Sequence, residues 1–303
     1  MAAKTEVRIQ GRTLTLSNLD KVFYPKAHFT KAQVIDYYAR ISPVLLPHLK
    51  NRPLTLKRYP EGVGKEFFYE KRCPSFRPPW VKIGPVWSES KQEKIPFCLA
   101  NDLPSLIWAA NLADLELHTS LAFFKNPDRP TVMVFDLDPG AEADVLTCAE
   151  AALWLREFLQ NRKLECFPKT SGSKGLQLYV PLNTPVTFAQ TKMFARASAE
   201  WLTQKHPDEV LARMEKRLRR GKVFIDWSQN DRHKTTVCAY SLRAMERPMV
   251  STPLAWQELE QALSAGDAKH LSFEAHEVLE RVDKRNDLFQ PVLKLKQKLP
   301  DFE

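Results

Sequence analysis

The chain has 303 residues, enough for one large or two ordinary domains, and 44% of them are apolar, which supports a buried core and excludes a disordered chain. Its 45 Lys and Arg against 36 Asp and Glu leave a formal charge of +9, a moderate excess that favours polyanionic partners without identifying one. The 5 cysteines are odd in number and never form C-x-x-C, so neither a disulfide framework nor a zinc site is expected and a reducing cytoplasm fits; no apolar leader opens the chain, and no run approaches the ~18 apolar residues of a membrane span.

In chain order, "RIQGRTLTLSNLDKVFYP" reads as a short hairpin and turn. Thr30 and Gln33 form a capping box, and Ile35, Tyr38 and Ile41 keep helical spacing, which predicts a helix as far as Pro43. Between "RPLTLKRYP" and "KQEKIPFCLA" lie short strands broken by prolines, followed by a helix over "LPSLIWAANLA". The clearest strand is "TVMVFDLD", residues 131–138, apolar enough to be central and buried on both faces. Asp144 then caps a helix whose Val145, Cys148, Ala149, Ala152, Leu155 and Leu159 form one stripe. "KTSGSKGLQLYVPL", from Lys169 to Leu182, opens as a polar glycine-rich loop and ends as an alternating strand. A second capped helix runs from Thr187 to about His206, and "DEVLARMEKRLRRG" reads as a basic helix ending on Gly221. "KVFIDWSQN" and "KTTVCAYSL" read as strands able to pair through the turn at 229–234, and everything beyond "VSTPLAWQEL" as helical and peripheral.

No repeat, low-complexity tract or Gly/Ser linker interrupts this pattern. The order of elements indicates an α+β fold, or a mixed-sheet α/β one, with β-sheets flanked by helices. Residues 1–303 are read as one domain: an N-terminal accessory α/β part to about 110, a catalytic core from about 111 to 250, and C-terminal helices from about 251.

Asp136 and Asp138 in "VFDLDPG" lie two apart on a strand, so both side chains leave one face about 7 Å apart. Two carboxylates at the end of an apolar strand repel each other and lose hydration, and a divalent cation is the economical compensation. Asp226 is a third acid, set among Val223, Phe224, Ile225 and Trp227. Three acids on neighbouring strands can hold two metals ~3.5–4 Å apart, one activating an attacking hydroxyl and the other stabilising a leaving pyrophosphate. The bland alternatives are an Asp-Pro turn for the first pair and a satisfied half-buried acid for Asp226. In the glycine-rich loop, Gly172 and Gly175 allow positive φ and close approach, while Ser171, Ser173 and Lys174 offer donors suited to phosphate; a plain hairpin turn looks much the same, and the Walker A spacing is absent. Gln177 should share a face with the mouth of that loop.

The succession of "VFDLDPG", "KTSGSKGLQLYVPL", "KVFIDWSQN" and "AYSLR" closely resembles the polymerase module of bacterial DNA ligase D, a branch of the archaeo-eukaryotic primase superfamily that serves non-homologous end joining. The resemblance runs from about Gly11 to beyond Trp256. It implies a primase-like core, two-metal nucleotidyl transfer with manganese (or magnesium), use of NTPs or dNTPs with a leaning to ribonucleotides, and action on broken or gapped DNA carrying a 5′-phosphate. It further implies a bacterial or archaeal cytoplasm, near the nucleoid, with a Ku-type protein and a separate ATP-dependent ligase as partners and no membrane. By the same resemblance, Asp136, Asp138 and Asp226 match the metal-binding carboxylates, and Lys57, Arg58, Ser171, Lys174, Gln229 and Arg243 match donors to the incoming triphosphate. His118 matches a histidine near the nucleotide sugar and metal, and Lys21 and Lys31 match a 5′-phosphate pocket. The aromatics of "EFFYEK" match a pair that stacks on the template base, either Phe67 with Phe68 or Phe68 with Tyr69. Each has a plainer reading too: surface lysines for Lys21 and Lys31, core aromatics for Phe67 to Tyr69, a packed or capping histidine for His118.

Two departures stand out. Gln177 occupies the place where relatives carry histidine in "SG-x-KG-x-H", a position that the resemblance assigns to contact with the incoming nucleotide's phosphates; its amide donates a hydrogen bond but brings neither charge nor a transferable proton. If the histidine acts by position, about tenfold is lost; if it supplies charge in the transition state, ~10²–10³. The length also leaves no room for a ligase or nuclease module, so joining is expected from a separate protein. The rival reading is an end-binding or bridging protein of the same fold that has lost turnover, with a metal-dependent nuclease as a third.

Overall fold

In a computed structural model, which describes residues 4–301, the helix starts predicted at Thr30, Asp144 and Thr187 are realised in the chain. The first elements are β1 (Lys4–Ile9), β2 (Arg12–Ser17), β3 (Val22–Tyr24), β4 (Phe29–Thr30), α1 (Lys31–Leu49), β5 (Leu54–Arg58), β6 (Phe68–Glu70), β7 (Ile83–Ser88), β8 (Glu93–Cys98), α2 (Leu103–Asn111) and β9 (Asp114–Thr119). They are followed by β10 (Val132–Pro139), α3 (Val145–Gln160), β11 (Phe167–Thr170), β12 (Leu176–Pro181), α4 (Phe188–Lys205), β13 (Val210–Leu211) and β14 (Val223–Asp226). Last come β15 (Thr236–Val237), α5 (Trp256–Ala265), α6 (Ala275–Arg285) and α7 (Gln290–Lys294). Thr30 caps α1 and Thr187 caps α4, each in a reciprocal box with the glutamine three residues on, and Asp144 caps α3. None of the described helices is long and apolar enough to cross a membrane.

The chain folds as two compact units. The first takes the chain up to Lys125, then Thr235–Val250 and Glu274–Asn286. Its sheet runs β15-β9-β5-β8-β7, with β6 added to β5, and β1–β2 and β3–β4 are separate hairpins. Helix α1 continues past Pro43 to Leu49, further than the sequence predicts. Pro43 lacks the N–H that would bond Ala39 O, and Ser42 Oγ donates to that carbonyl instead at 2.8 Å. Buried Tyr37 and Tyr38 then donate their hydroxyls to Tyr240 O and Leu115 O, tying the helix to the sheet and to the later segment.

The second unit takes Asn126–Lys234, Ser251–Phe273 and the chain from Asp287. Its five-stranded sheet runs β11-β12-β10-β14-β13, antiparallel except for β13 with β14. As predicted, β10 is central: Met133, Phe135 and Leu137 are buried with the α3 stripe, and Leu176, Leu178 and Val180 of β12 join the same core. The two glycines of its loop differ in purpose. Gly172 has φ +69°, whereas Gly175 is needed for space, since a Cβ there would stand 2.0 Å from Leu137 O.

Four expectations fail here for identifiable reasons. The predicted basic helix after His206 is instead β13, parallel to Val223 and Phe224, followed by a 3-10 turn at Lys216–Leu218. Burying Val210 and Leu211 on the sheet outweighs the helix propensity of a charged stretch with almost no apolar stripe. The strands predicted to pair across 229–234 do not: β14 pairs with β10 and β15 with β9. The C-terminal part is not merely peripheral, because Leu254, Leu259, Ala262 and Leu271 belong to the second unit's core. Finally, Cys73 and Cys98 form a disulfide, with Cys73 N donating to Pro96 O; the 25-residue separation concealed it, and Cys148, Cys166 and Cys238 are buried thiols outside any disulfide. A Gly175→Ala variant should lose roughly 2–4 kcal/mol of stability, read as a fall in Tm, because the Leu137 carbonyl it meets is fixed in the ladder.

Candidate functional site

In the second unit, strand register alone builds a row of polar side chains. Asp136 of β10 stands opposite Gln177 of β12 on one side and Asp226 of β14 on the other, and Gln177 in turn stands opposite Lys169 of β11. Directly opposed residues share a face, so Lys169, Gln177, Asp136 and Asp226 line up across four strands, with Asp138 two positions along the same face. Gln177 Nε2 donates to Asp136 Oδ1 at 3.0 Å. Gln229 Nε2 spans Asp136 Oδ2 at 3.4 Å and Asp226 Oδ2 at 3.3 Å. The other Asp226 oxygen accepts from the backbone N–H and hydroxyl of Ser228.

The electrostatics are those of crowded acids. Burial, then the neighbouring Asp138 and Asp226 charges, push the Asp136 carboxyl up to about 7, against the Gln177 hydrogen bond and the Lys169 charge. Lys169 is wholly buried, with Nζ hydrogen-bonded to Ser251 Oγ and 5.4 Å from the Tyr179 ring centroid. Among the described residues no three His, Cys, Asp or Glu side chains stand close enough to enclose an ion as they are, and the Gln229 amide lies between two of the acids. The donor set still fits a hard divalent cation: carboxylate oxygens dominate it, and buried Gln177 Oε1 has no hydrogen-bond partner beside them. In the loop, Ser171 Oγ accepts from the N–H groups of Ser173 and Gly175 and closes the turn, leaving Ser173 and Lys174 exposed.

In the first unit the centre is an acid that the sequence reading passed over. Glu116 lies on β9 two residues before His118 and is buried. Its Oε2 accepts from Lys57 Nζ at 3.0 Å and His118 Nε2 at 2.9 Å, and Arg243 Nε lies 3.4 Å away; its Oε1 accepts from Tyr59 OH at 3.3 Å and Ala244 N at 3.0 Å. Burial alone would raise this carboxyl, but the His118 hydrogen bond and the Arg243 and Lys57 charges hold it well below the usual carboxylate range. Burial, with the same two cations, lowers His118, so the ring is neutral and donates through Nε2–H. Beneath Lys57, buried Asp114 accepts the Lys57 backbone N–H at 2.7 Å, and burial raises its carboxyl well above the ordinary value.

Around this centre, Lys57 Nζ lies 4.7 Å from the Phe67 ring centroid, 5.4 Å from Tyr59 and 5.6 Å from Tyr69, while Arg58 lies over Phe68 at 5.0 Å and pairs with Glu70. The plain core reading of these aromatics fails: Phe67, Phe68 and Tyr69 are 48%, 43% and 57% exposed. Alternation places Phe67 and Tyr69 against Lys57 and Phe68 against Arg58. Lys31 N donates to Lys21 O; Lys31 itself is buried, with Nζ donating to Ser17 O, whereas Lys21 pairs with Glu61. Burial, then the Lys21 and Arg58 charges, bring Lys31 down to about 8. The predicted site residues thus fall into two sets: Asp136, Asp138, Asp226, Ser171, Lys174, Gln177 and Gln229 in one unit, and Lys57, Arg58, His118, Arg243, Lys21, Lys31, Phe67, Phe68 and Tyr69 in the other. Lys169, Glu116 and Asp114 were missed, although Glu116 and His118 share a strand face by spacing alone.

Comparison with known proteins agrees with the sequence motifs. Residues 30–289 match the family described as LigD, primase-polymerase domain. The chain is 42% identical over 279 residues to the multifunctional non-homologous end joining protein LigD of Mycolicibacterium smegmatis, covering 91% of this chain and 36% of that one. It is 34% identical over 252 residues to the bifunctional LigD of Bacillus subtilis, covering 83% and 40%. It therefore spans well under half the length of these relatives. A solved structure, the polymerase domain from Mycobacterium tuberculosis Ligase D in complex with DNA, matches with a TM-score of 0.86 at 38% identity, covering 92% of this chain and 98% of that one.

Asp114 makes a pH-dependent contribution with a definite sign. The folded state keeps its proton where the unfolded chain has lost it, so its stabilisation is complete below the unfolded pKa near 4 and is lost as pH rises toward the raised folded value. Relative to the wild type, Asp114→Asn should therefore gain stability as pH rises above the unfolded value near 4, read as a growing difference in Tm.

Proposed function

The chain belongs to the LigD primase-polymerase domain family, and on that premise we propose that it is an end-joining polymerase, transferring templated nucleotides to a primer 3′-hydroxyl at DNA breaks or gaps. The observation that carries the reading is the row of Asp136 and Asp226, with Asp138 beside them, on the one central strand and its neighbour. The sequence is taken to work as one primase-polymerase domain.

Asp136, Asp138 and Asp226 would hold divalent manganese or magnesium, two ions per site, which acidify the attacking hydroxyl and neutralise the departing pyrophosphate. The chain's own groups do the rest. Gln177 and Gln229 orient the carboxylates through their amide donors. In the first unit Lys57, Arg58 and Arg243, and in the second Lys174 and Ser171, are the donors suited to the phosphates of an NTP or dNTP. Neutral His118, donating to Glu116, leaves Nδ1 as an acceptor for a sugar hydroxyl, which favours ribonucleotides. The exposed rings of Phe67, Phe68 and Tyr69 stack on template bases at about 1–3 kcal/mol each. Lys21 and Lys31 take the downstream 5′-phosphate, Lys31 being a buried ammonium whose charge a phosphate would satisfy. DNA, a Ku-type end-binding protein and an ATP-dependent ligase are the partners, in the cytoplasm.

The rival, an end-binding protein without turnover, has Gln177 in its favour. Against it, Gln177 holds Asp136 with the hydrogen bond a working carboxylate needs. With manganese, NTPs and a gapped 5′-phosphorylated duplex, the protein should extend the primer by template-directed steps, and chelation should stop it. The Asp136→Ala/Asp138→Ala pair should lower the rate more than about a hundredfold while DNA binding persists. If neither the wild type nor Gln177→His extends the primer while both bind DNA, the polymerase reading is wrong.

The 5′-phosphate pocket has its own signature. Lys31 carries its charge below about 8 and loses it as pH rises through that value. The affinity advantage of a phosphorylated over an unphosphorylated gap should therefore shrink between pH 7 and pH 9, and Lys31→Met should remove both the advantage and its pH dependence.

A further inference from the structure

Lys57, His118 and Arg243 come from β5, from β9 and from the segment after β15, yet all three converge on one buried oxygen, Glu116 Oε2. The other oxygen is held from behind by Tyr59 OH and by Ala244 N, next to Arg243 in the chain, so the carboxylate is anchored independently of the cations it gathers. Lysine and arginine have long, mobile side chains, and a ligand that must order them binds more weakly than one that finds them ordered. A carboxylate is acceptor-only, so its bond to His118 requires the proton on Nε2 and selects that tautomer.

We propose that Glu116 is a positioning residue for the incoming nucleotide: its carboxylate pre-orders Lys57, His118 and Arg243 for the triphosphate and sugar and fixes the His118 tautomer. This rests on the polymerase reading, which gives those three residues their nucleotide contacts. The sign of the effect makes it testable. Glu116 is a negative charge among cations meant for a polyanion, so if it acts as a charge alone its removal strengthens nucleotide binding; only if it orders the cations does its removal weaken binding.

In primer extension with the whole chain, saturating primer-template and manganese, Glu116→Gln should raise the nucleotide KM about ten- to hundredfold, with primer-template Kd at the wild-type value and the fold retained at a lower Tm. Glu116→Asp, which keeps the charge but is one methylene short, should fall between the two. An unchanged or lowered KM in Glu116→Gln overturns the proposal. Should that variant lose its fold, Glu116→Asp decides: a raised KM supports the assignment and a wild-type KM overturns it. Binding of a fluorescent NTP analogue to the same variants reads the effect without turnover, so an inactive wild type would sink the polymerase reading while this comparison still gives its answer.

Discussion

The second unit is organised around a repulsion. Its central strand is apolar until it reaches Asp136, and there three carboxylates come together on one face of a sheet whose other face is core. Left uncompensated, such a group drives its own protonation, as the elevated Asp136 carboxyl shows. Everything adjacent answers that problem. The Gln177 and Gln229 amides donate to the acids, Ser228 occupies the far oxygen of Asp226, and Lys169 places a buried positive charge two strands away in the same row. Amides restrain carboxylates without neutralising them, so a demand for cation charge remains.

The first unit shows the opposite arrangement: one buried acid, Glu116, collects cations that would otherwise repel one another. Here the carboxylate is ionised and the histidine neutral: burial disfavours the imidazolium, and two permanent cations already supply the charge it would bring. Lys57 and the neighbouring Arg58 lie over the exposed rings of Phe67, Tyr69 and Phe68, so an exposed aromatic surface and the cation cluster share one scaffold. Lys169 and Glu116 are thus counterparts: each is a buried charge that conditions the polar groups beside it and is hidden from a search for exposed chemistry.

Local chemistry was legible wherever a single element decides the outcome. Thr30 with Gln33, Asp144 and Thr187 with Gln190 start their helices because a cap is satisfied within three residues. The central strand was readable from its apolar run, and the shared face of Asp136 and Asp138 from the two-residue period. The failures have a common cause. A charged stretch became an edge strand because Val210 and Leu211 found a sheet to join, and α1 ran through Pro43 because Ser42 satisfied the freed carbonyl. Cys73 met Cys98 because a loop folds back against β8.

The sequence by itself determined the family, the capped helix starts at Thr30, Asp144 and Thr187, the acids of the central strand and the loop, because those depend on residue type and spacing within a dozen positions. Only the tertiary structure decided which strand lies beside which. Register put Gln177 and Asp226 on either side of Asp136, gave Gly175 a steric reason to be glycine, and gathered Lys57, His118 and Arg243 onto Glu116. Pairing between distant segments is set by the total burial and hydrogen bonding of the whole sheet, and no local pattern encodes that sum.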